Sequence, residues 1–178
     1  MDLALHPDFA QNRIIYFTYS QPGERGDTTV LASARFDGTT LTDVRDLFIA
    51  DAWSSDGGSS GSRIAFGLDR TLYMTVGERH EQTPAQDLRT HKGKILRLNH
   101  DGTVPPDNPF VDRADARPEI FAYGVRTPRS YKYALDSILR LAYYLAWLGM
   151  SSLPTSSERG GTTSPPTNRN RSTSASGC

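Results

Sequence analysis

The sequence has little cysteine and no excess of either charge. Its single cysteine is the last of 178 residues, which excludes an internal disulfide framework and a zinc site made only of cysteines. Lysine and arginine total 20, as do aspartate and glutamate, so the formal net charge is zero. A chain without net positive charge has no electrostatic reason to bind nucleic acid or an anionic membrane. We therefore expect neither partner.

A long hydrophobic run is also missing. The most apolar stretch, Ile138–Met150, is too short to span a bilayer and contains Arg140. Met1-Asp2 leads directly into strand-like residues, without the basic and apolar regions of a signal peptide. The four histidines do not fall at the close spacings of a zinc site. We expect no membrane insertion, no signal peptide and no zinc.

Short apolar runs separated by polar turns occupy the front of the chain. Ile64–Phe66 and Leu72–Val76 flank the polar turn Gly67–Thr71, and Ile95–Leu98 precedes the turn dipeptide Asp101-Gly102. Strand, tight turn and strand in repetition indicate a β-meander. The same pattern predicts strands over Ile14–Ser20, Val30–Phe36 and Leu47–Ala50, with loops over Gln21–Thr28 and Asp37–Thr40.

Three characteristic strings follow one another within Gly61–Pro109: G-S-R-I-A-F-G-x-D-x-x-L-Y-M-T-V-G, A-Q-D-L-x-x-H-x-G-K-I-L-R-L and D-G-x-V-P-x-D-N-P-F. A strand opening of the same type precedes them at Leu3–Phe9, and two more motifs follow at Pro118–Phe121 and Tyr123–Pro128. In this order and spacing, the series resembles the soluble PQQ-dependent aldose sugar dehydrogenases, the glucose/sorbosone dehydrogenase family. The resemblance covers residues 1–128.

The resemblance implies a fold. Members of the family are six-bladed β-propellers with about four strands per blade. At roughly 40–50 residues per blade, residues 1–128 correspond to two to three blades. We therefore expect an all-β fold, a partial six-bladed propeller, with an N-terminal blade missing because the chain begins inside the pattern. A partial ring leaves sheet edges unpaired, which predicts aggregation or self-association.

The chain changes character after Pro128. Arg129–Met150 has the pattern of an amphipathic helix, and Ser151–Cys178 has the composition of a disordered tail. The family implies strands instead. Read in a shifted frame, residues 129–178 can encode L-D-P-A-T-G, then G-D-E, then N-L-I-R-A-G-R-N-Y, which resemble the family's continuation in that order. We interpret this segment as out of frame, and a genuine helix with a disordered tail is the alternative.

The family's chemistry implies a general base and a carboxylate that orients it. A histidine takes the proton of the sugar's anomeric hydroxyl while PQQ accepts a hydride from the anomeric carbon. The family's histidine lies four residues before the arginine that corresponds to Arg63, which puts Ser59 at the base position. The orienting carboxylate corresponds to Glu78. Serine without a partner is no base at neutral pH, so we expect no catalysis unless a small loop shift brings His80 to the same place.

Two positions match the family's cofactor-contacting motif Y-G-x-R-[NT]-P. Arg126 offers the planar donor pair that suits a carboxylate or quinone oxygen of PQQ. An ion pair between Arg126 and a surface carboxylate such as Glu119 is the alternative. Thr127 stands where asparagine is common. PQQ and Ca²⁺ are the cofactors that the resemblance implies, but the loop that binds Ca²⁺ falls in the altered segment and no oxygen-ligand cluster replaces it.

Two other patterns receive a structural interpretation. His91 lies in a strongly family-like string and is expected to fix a loop by hydrogen bonding rather than to react. Gly57–Gly61 fits G-x-S-x-G, the nucleophile elbow of α/β-hydrolases, but that elbow requires a helix after it. A strand is predicted here instead. The pattern therefore indicates a flexible loop.

The leading interpretation is a fragment of a PQQ-dependent sugar dehydrogenase that is inactive as written. By resemblance it would oxidise an aldose, or a related sugar such as sorbosone, to a lactone, in the periplasm or outside the cell. A non-catalytic propeller that binds carbohydrate or protein is the second interpretation. The third is a small β domain whose C-terminal helix docks on the open sheet edge.

Overall fold

The computed structural model describes residues 1–126, and these residues form two antiparallel sheets of four strands each. The first sheet contains β1 Leu3–Leu5, β2 Ile14–Gly23, β3 Gly26–Phe36 and β4 Leu41–Ile49. The second contains β5 Gly61–Phe66, β6 Leu72–Val76, β7 Lys94–Leu98 and β8 Ile120–Tyr123. The helical elements of this part are α1, Phe9–Asn12, and a single 3-10 turn, Thr83–Gln86. The predicted C-terminal helix and tail lie outside the described residues.

Each sheet is a simple meander. The strand orders are β1-β2-β3-β4 and β5-β6-β7-β8, so every strand pairs with its neighbour in sequence. Two consecutive four-stranded meanders are the arrangement of two propeller blades. The all-β class and the partial propeller predicted from the sequence are thereby confirmed.

The structure corrects the prediction of a loop over Gln21–Thr28. β2 and β3 continue through it, with Gln21 opposite Thr28 and Gly23 opposite Gly26, so the turn is only Glu24 and Arg25. This end of the hairpin extends beyond β1, which pairs only with the part of β2 nearest its start. Its outer residues therefore face solvent, and their polarity gives no strand signal.

The other turns agree with the sequence, while two further strands, like β2 and β3, are longer than predicted. The polar turns Asp37–Thr40 and Gly67–Thr71 connect β3 to β4 and β5 to β6. β4 begins at Leu41, six residues before the predicted Leu47, because its first residues are exposed at the outer edge and carry no apolar alternation. β5 likewise begins at Gly61 instead of Ile64.

The main core lies between the two sheets. β6 and β7 are buried at every residue. The first sheet and the segment that follows it contribute Tyr16, Leu31, Ala50 and Ala52, and the second contributes Ile64, Leu72, Met74, Val76, Leu96, Leu98 and Ile120. Burial of this apolar surface fixes the second sheet as a rigid support. The candidate site lies at one end of that sheet.

Candidate functional site at one end of the second sheet

Three of the sequence-predicted site residues converge because the strands are antiparallel. Ser59 lies just before β5, Glu78 just after β6, and Arg126 just after β8. The start of β5 and the ends of β6 and β8 all lie at the same end of the sheet. Thr127, the fourth predicted residue, lies outside the described residues.

Ser59 is held tightly against the end of β6. The amide of Gly77 donates to the carbonyl of Ser60 at 3.0 Å. A Cβ on Gly77 would come within 1.7 Å of the Ser59 carbonyl oxygen, so only glycine fits there. Ser59 itself is 5% exposed and has a positive φ of 51°. The site loop is thus packed directly on the strand end that leads to Glu78.

His80 lies beside Ser59. Its two ring nitrogens, Nδ1 and Nε2, are 3.4 and 3.3 Å from the Ser59 hydroxyl oxygen. Both distances are longer than the range of about 2.7–3.2 Å for a well-formed hydrogen bond, so the two contacts are weak. A Cβ on Gly58 would lie 2.3 Å from Nε2, so the imidazole also covers the residue before Ser59. The structure therefore puts an imidazole next to the position where the resemblance expects the base.

Glu78 and Arg126 contact each other through backbone and side chain. The amide of Glu78 donates to the carbonyl of Arg126 at 2.9 Å, and Nε of Arg126 lies 3.9 Å from Oε1 of Glu78. The Glu78 side chain is 4% exposed, whereas that of Arg126 is 83% exposed. So long an ion pair with an exposed arginine contributes little to stability. Most of the Arg126 guanidinium therefore faces solvent.

The alternative pairing of Arg126 with Glu119 is not what the structure shows. Oε2 of Glu119 lies 3.4 Å from Nε2 of His91. The other ring nitrogen of His91 accepts a hydrogen bond from the amide of Asp51 at 2.8 Å. His91 is 2% exposed and holds the segment around Asp51 by hydrogen bonds. It occupies the loop-fixing position expected of it.

Two buried cations support the site, and sequence reasoning missed both. Arg79, between Glu78 and His80, is 1% exposed. Lys94 is fully buried at the start of β7, where its Nζ donates to the carbonyls of Pro84, Ala85 and Lys92 at 2.9, 3.0 and 2.7 Å. Burial lowers the pKa of Lys94 to about 8. The only signal was that Lys94 lies within the string Ala85–Leu98 and that Arg79 follows the string Gly61–Gly77 by two residues.

An open pocket of about 340 Å³ lies beside Ser59. It is lined by Met1, Gly57, Ser59, Ser60, Gly61 and Arg63. The Arg63 guanidinium donates to Oδ1 of Asp2 at 3.1 Å. The positive charge at the edge of the pocket is therefore paired with a carboxylate that lies just before β1. Within residues 1–126, no group of three or more His, Cys, Asp or Glu side chains could hold a metal ion. The same residues contain no helix long and apolar enough to cross a membrane.

The hydrolase pattern Gly57–Gly61 lacks the elbow's context. The segment that follows it is β5, a strand, and the residues before it form a loop rather than a strand. A nucleophile elbow needs a strand before the serine and a helix after it. Ser59 therefore belongs to a propeller loop.

Comparison with known proteins identifies the family. The profile of the family described as "Glucose / Sorbosone dehydrogenase" matches residues 1–139, which extends past Pro128. An aldose sugar dehydrogenase of Escherichia coli is 38% identical over 132 residues, covering 72% of this chain and 36% of the relative. Quinoprotein glucose dehydrogenase B of Acinetobacter calcoaceticus is 27% identical over 158 residues, covering 75% of this chain and 33% of the relative.

Solved structures give the same result. The soluble aldose sugar dehydrogenase of Escherichia coli in its apo form superposes with a TM-score of 0.69 at 36% identity, covering 71% of this chain and 38% of the other. The PQQ-bound aldose sugar dehydrogenase of Streptomyces coelicolor gives a TM-score of 0.56 at 27% identity, covering 70% and 36%. The chain spans about a third of the length of the curated relatives that it matches. It belongs to the glucose/sorbosone dehydrogenase family.

Proposed function

We propose that this chain carries two blades of a PQQ-dependent sugar dehydrogenase. The reaction is the oxidation of the anomeric carbon of an aldose, or of a related sugar such as sorbosone, to a lactone. The observation that carries the proposal is the convergence of Ser59, His80, Glu78 and Arg126 at one end of the second sheet. Family membership and a PQQ-bound relative support the same chemistry. By the same resemblance, we propose a periplasmic or extracellular location.

Arg126 is the residue that suits the cofactor. Its guanidinium is mostly exposed, and a planar fork of N–H donors matches a carboxylate or quinone oxygen of PQQ. Bound PQQ supplies an acceptor for the hydride. Thr127 is the neighbouring position that the resemblance assigns to the same contact. Residues 1–126 contain no group of three or more His, Cys, Asp or Glu side chains that could hold a metal ion, and no calcium-dependent step is assigned to them.

The described part of the site lacks a well-placed base for the proton of the anomeric hydroxyl. Loss of the anomeric C–H as hydride forms the lactone carbonyl only if the anomeric O–H proton passes to a base. The Ser59 hydroxyl cannot accept that proton at neutral pH. The His80 imidazole has the right chemistry, and its ring nitrogens make long contacts with the Ser59 hydroxyl.

We propose that the 178-residue chain does not turn over sugar. Proton transfer depends steeply on the placement of the base. The base position holds a serine, and the nearby imidazole makes only long contacts with it, at 3.3 and 3.4 Å. The Glu78 carboxylate, which by resemblance would orient the base, is buried beside Arg126. The chain retains the scaffold and the cofactor-side arginine of the family.

Titration of PQQ into the full chain tests the cofactor assignment. Saturable binding is expected, and Arg126→Gln should weaken it about tenfold or more, since a hydrogen bond to a charged group contributes about 1.5–3 kcal/mol. Arg35→Gln is the matched control, because Arg35 is an exposed arginine of the first sheet that pairs with Asp43. Equal binding by the two variants would overturn the role of Arg126.

A further inference from the structure

We propose that Arg79 is the positioning residue of this site. It couples the first sheet to the site loop and holds His80 against Ser59. The inference rests on the proposed function, in which the placement of the imidazole decides whether a proton can be accepted. The residues next to Arg79 in the sequence do not indicate this role.

The burial of Arg79 is the first observation. Its side chain is 1% exposed, although a guanidinium is always charged at neutral pH. Burying a charge is costly unless it is paired and hydrogen-bonded. A cation kept at the centre of the site must therefore be held by specific partners.

Those partners come from two other segments. One terminal nitrogen of Arg79 donates to Oδ1 of Asp27 at 2.6 Å and to the Asp27 carbonyl at 3.2 Å. The other donates to the hydroxyl of Ser60. Asp27 belongs to β3, and Ser60 precedes β5. A single guanidinium thus joins the first sheet, the site loop and the end of β6.

Asp27 is itself fixed. Its amide donates to the carbonyl of Ser54 at 3.0 Å, and the Ser54 amide donates back at 3.1 Å. This pair forms an antiparallel bridge between β3 and the segment that follows β4. A Cβ on Gly26 would come within 2.1 Å of the Ser54 carbonyl oxygen, so the residue before Asp27 also packs closely against Ser54. Arg79 is therefore anchored to a rigid point of the first sheet.

The backbone at the site needs such an anchor. Arg79 and His80 have φ of 60° and 62°, and Ser59 on the facing loop has φ of 51°. L-residues adopt this left-handed region only when the surroundings impose it. The bonds of Arg79 to Asp27 and Ser60 supply that restraint on both facing segments. Their joint effect sets the imidazole of His80 over Gly58 and Ser59.

The test uses the full chain, without PQQ or sugar, and NMR spectroscopy of the His80 ring. The readouts are the ring chemical shifts, assigned with His80→Gln, and the nuclear Overhauser effects between the ring and the Ser59 methylene. Arg79→Lys keeps the positive charge but removes the planar set of N–H donors of the guanidinium. Asp27→Asn keeps the size but loses the ion pair, and Ser60→Ala removes one acceptor only.

All three variants should weaken the His80–Ser59 Overhauser effects at least twofold, with the smallest loss in Ser60→Ala. The double variant of Asp27→Asn and Arg79→Lys should be no worse than the stronger single variant, because both act through one bond. Arg97→Lys is the matched control, since Arg97 is a buried arginine paired with Asp69 and Asp107. It should leave His80 unchanged.

Unchanged Overhauser effects in folded Asp27→Asn and Ser60→Ala would overturn the proposal, even if Arg79→Lys failed to fold. Equal losses in Arg97→Lys would also overturn it, because the effect would then be general destabilisation. The measurement contains no cofactor, so its outcome is independent of the PQQ titration that tests the proposed function.

Discussion

The imidazole of His6, which follows β1 of the first sheet, contacts the imidazole of His100, which follows β7 of the second. Nε2 of His6 lies 2.7 Å from Nδ1 of His100. Nδ1 of His6 accepts a hydrogen bond from the amide of Asp8 at 2.9 Å, which leaves the proton of neutral His6 on Nε2. His6 therefore donates to His100. The remaining ring nitrogen of His100 donates to the carbonyl of Arg70. This chain of bonds requires both rings to be neutral.

The first prediction is that acid weakens the fold through this contact. Burial, together with His100, lowers the pKa of His6, Arg70 adds to the lowering, and Asp8 partly offsets it. The unfolded histidine keeps a pKa of about 6.5. Below that pH the unfolded chain binds more protons than the folded chain, so the free energy of unfolding falls as pH falls.

Urea unfolding at pH 7.5 and pH 5.5 measures this effect. His100→Gln should cost about 1 kcal/mol at pH 7.5, the net value of one hydrogen bond, and should flatten the difference between the two pH values. Thr42→Ala, at an exposed position of β4 without a titratable group, is the control and should keep the wild-type slope. The account fails if His100→Gln keeps it as well.

A second prediction concerns Lys94. Its buried Nζ is the shared donor to three carbonyls, of Pro84, Ala85 and Lys92. Lys94→Met removes that donor. The carbonyls of Pro84 and Ala85 still accept from the amides of Asp87 and Gly124, so the loss falls mainly on the Lys92 carbonyl, at about 1–3 kcal/mol. We expect a loss of about 2 kcal/mol in the free energy of unfolding. Lys92→Met, which breaks only the contact with the half-exposed Glu81, should cost less than about 1 kcal/mol.

The open edge of the first sheet leads to a third prediction. β4 is the last strand of that sheet and exposes Leu41, Val44 and Ile49 by 47%, 58% and 47%. An edge strand, paired on one side only and with exposed apolar residues, promotes edge-to-edge association. Val44→Lys should therefore reduce concentration-dependent self-association in sedimentation velocity. Leu68→Lys is the control, because Leu68 is 79% exposed in a turn. If both variants associate like the wild type, β4 is not the contact.

Gly77 provides a fourth prediction. A methyl group there would meet the Ser59 carbonyl oxygen at 1.7 Å, so Gly77→Ala must displace the site loop. Overpacking of this kind typically costs about 1–3 kcal/mol. Gly57→Ala faces open space and bears only the cost of its left-handed φ of 62°. Thermal unfolding should rank Gly77→Ala as the less stable variant, and the reverse order would contradict the packing described for Ser59.

Sequence reasoning succeeded where local chemistry determines structure. The apolar runs of β6 and β7 and the turn Gly67–Thr71 follow from hydrophobic patterning and turn residues, and the structure confirms them. The hairpin around Glu24 was missed because its exposed polar residues resemble a loop. Local pattern does not report which strand a solvent-facing segment pairs with.

The resemblance names Ser59, Glu78 and Arg126 as site residues, and their roles stay a prediction. Antiparallel pairing explains why the three converge. The contact between His80 and Ser59 depends on left-handed backbone at both residues, a conformation that is uncommon for residues other than glycine. Arg79 and Lys94 look like surface cations in sequence, and only their long-range partners reveal that they are buried.

The central claim is that the chain keeps a sugar dehydrogenase scaffold without a working base. Reduction of an artificial electron-accepting dye by the folded full chain, supplied with PQQ, Ca²⁺ and glucose, tests it most directly. Circular dichroism establishes that the sample is folded, and the Escherichia coli aldose sugar dehydrogenase serves as the positive control. We predict no glucose-dependent reduction above the protein-free blank. Sustained reduction that requires both PQQ and glucose would contradict the account.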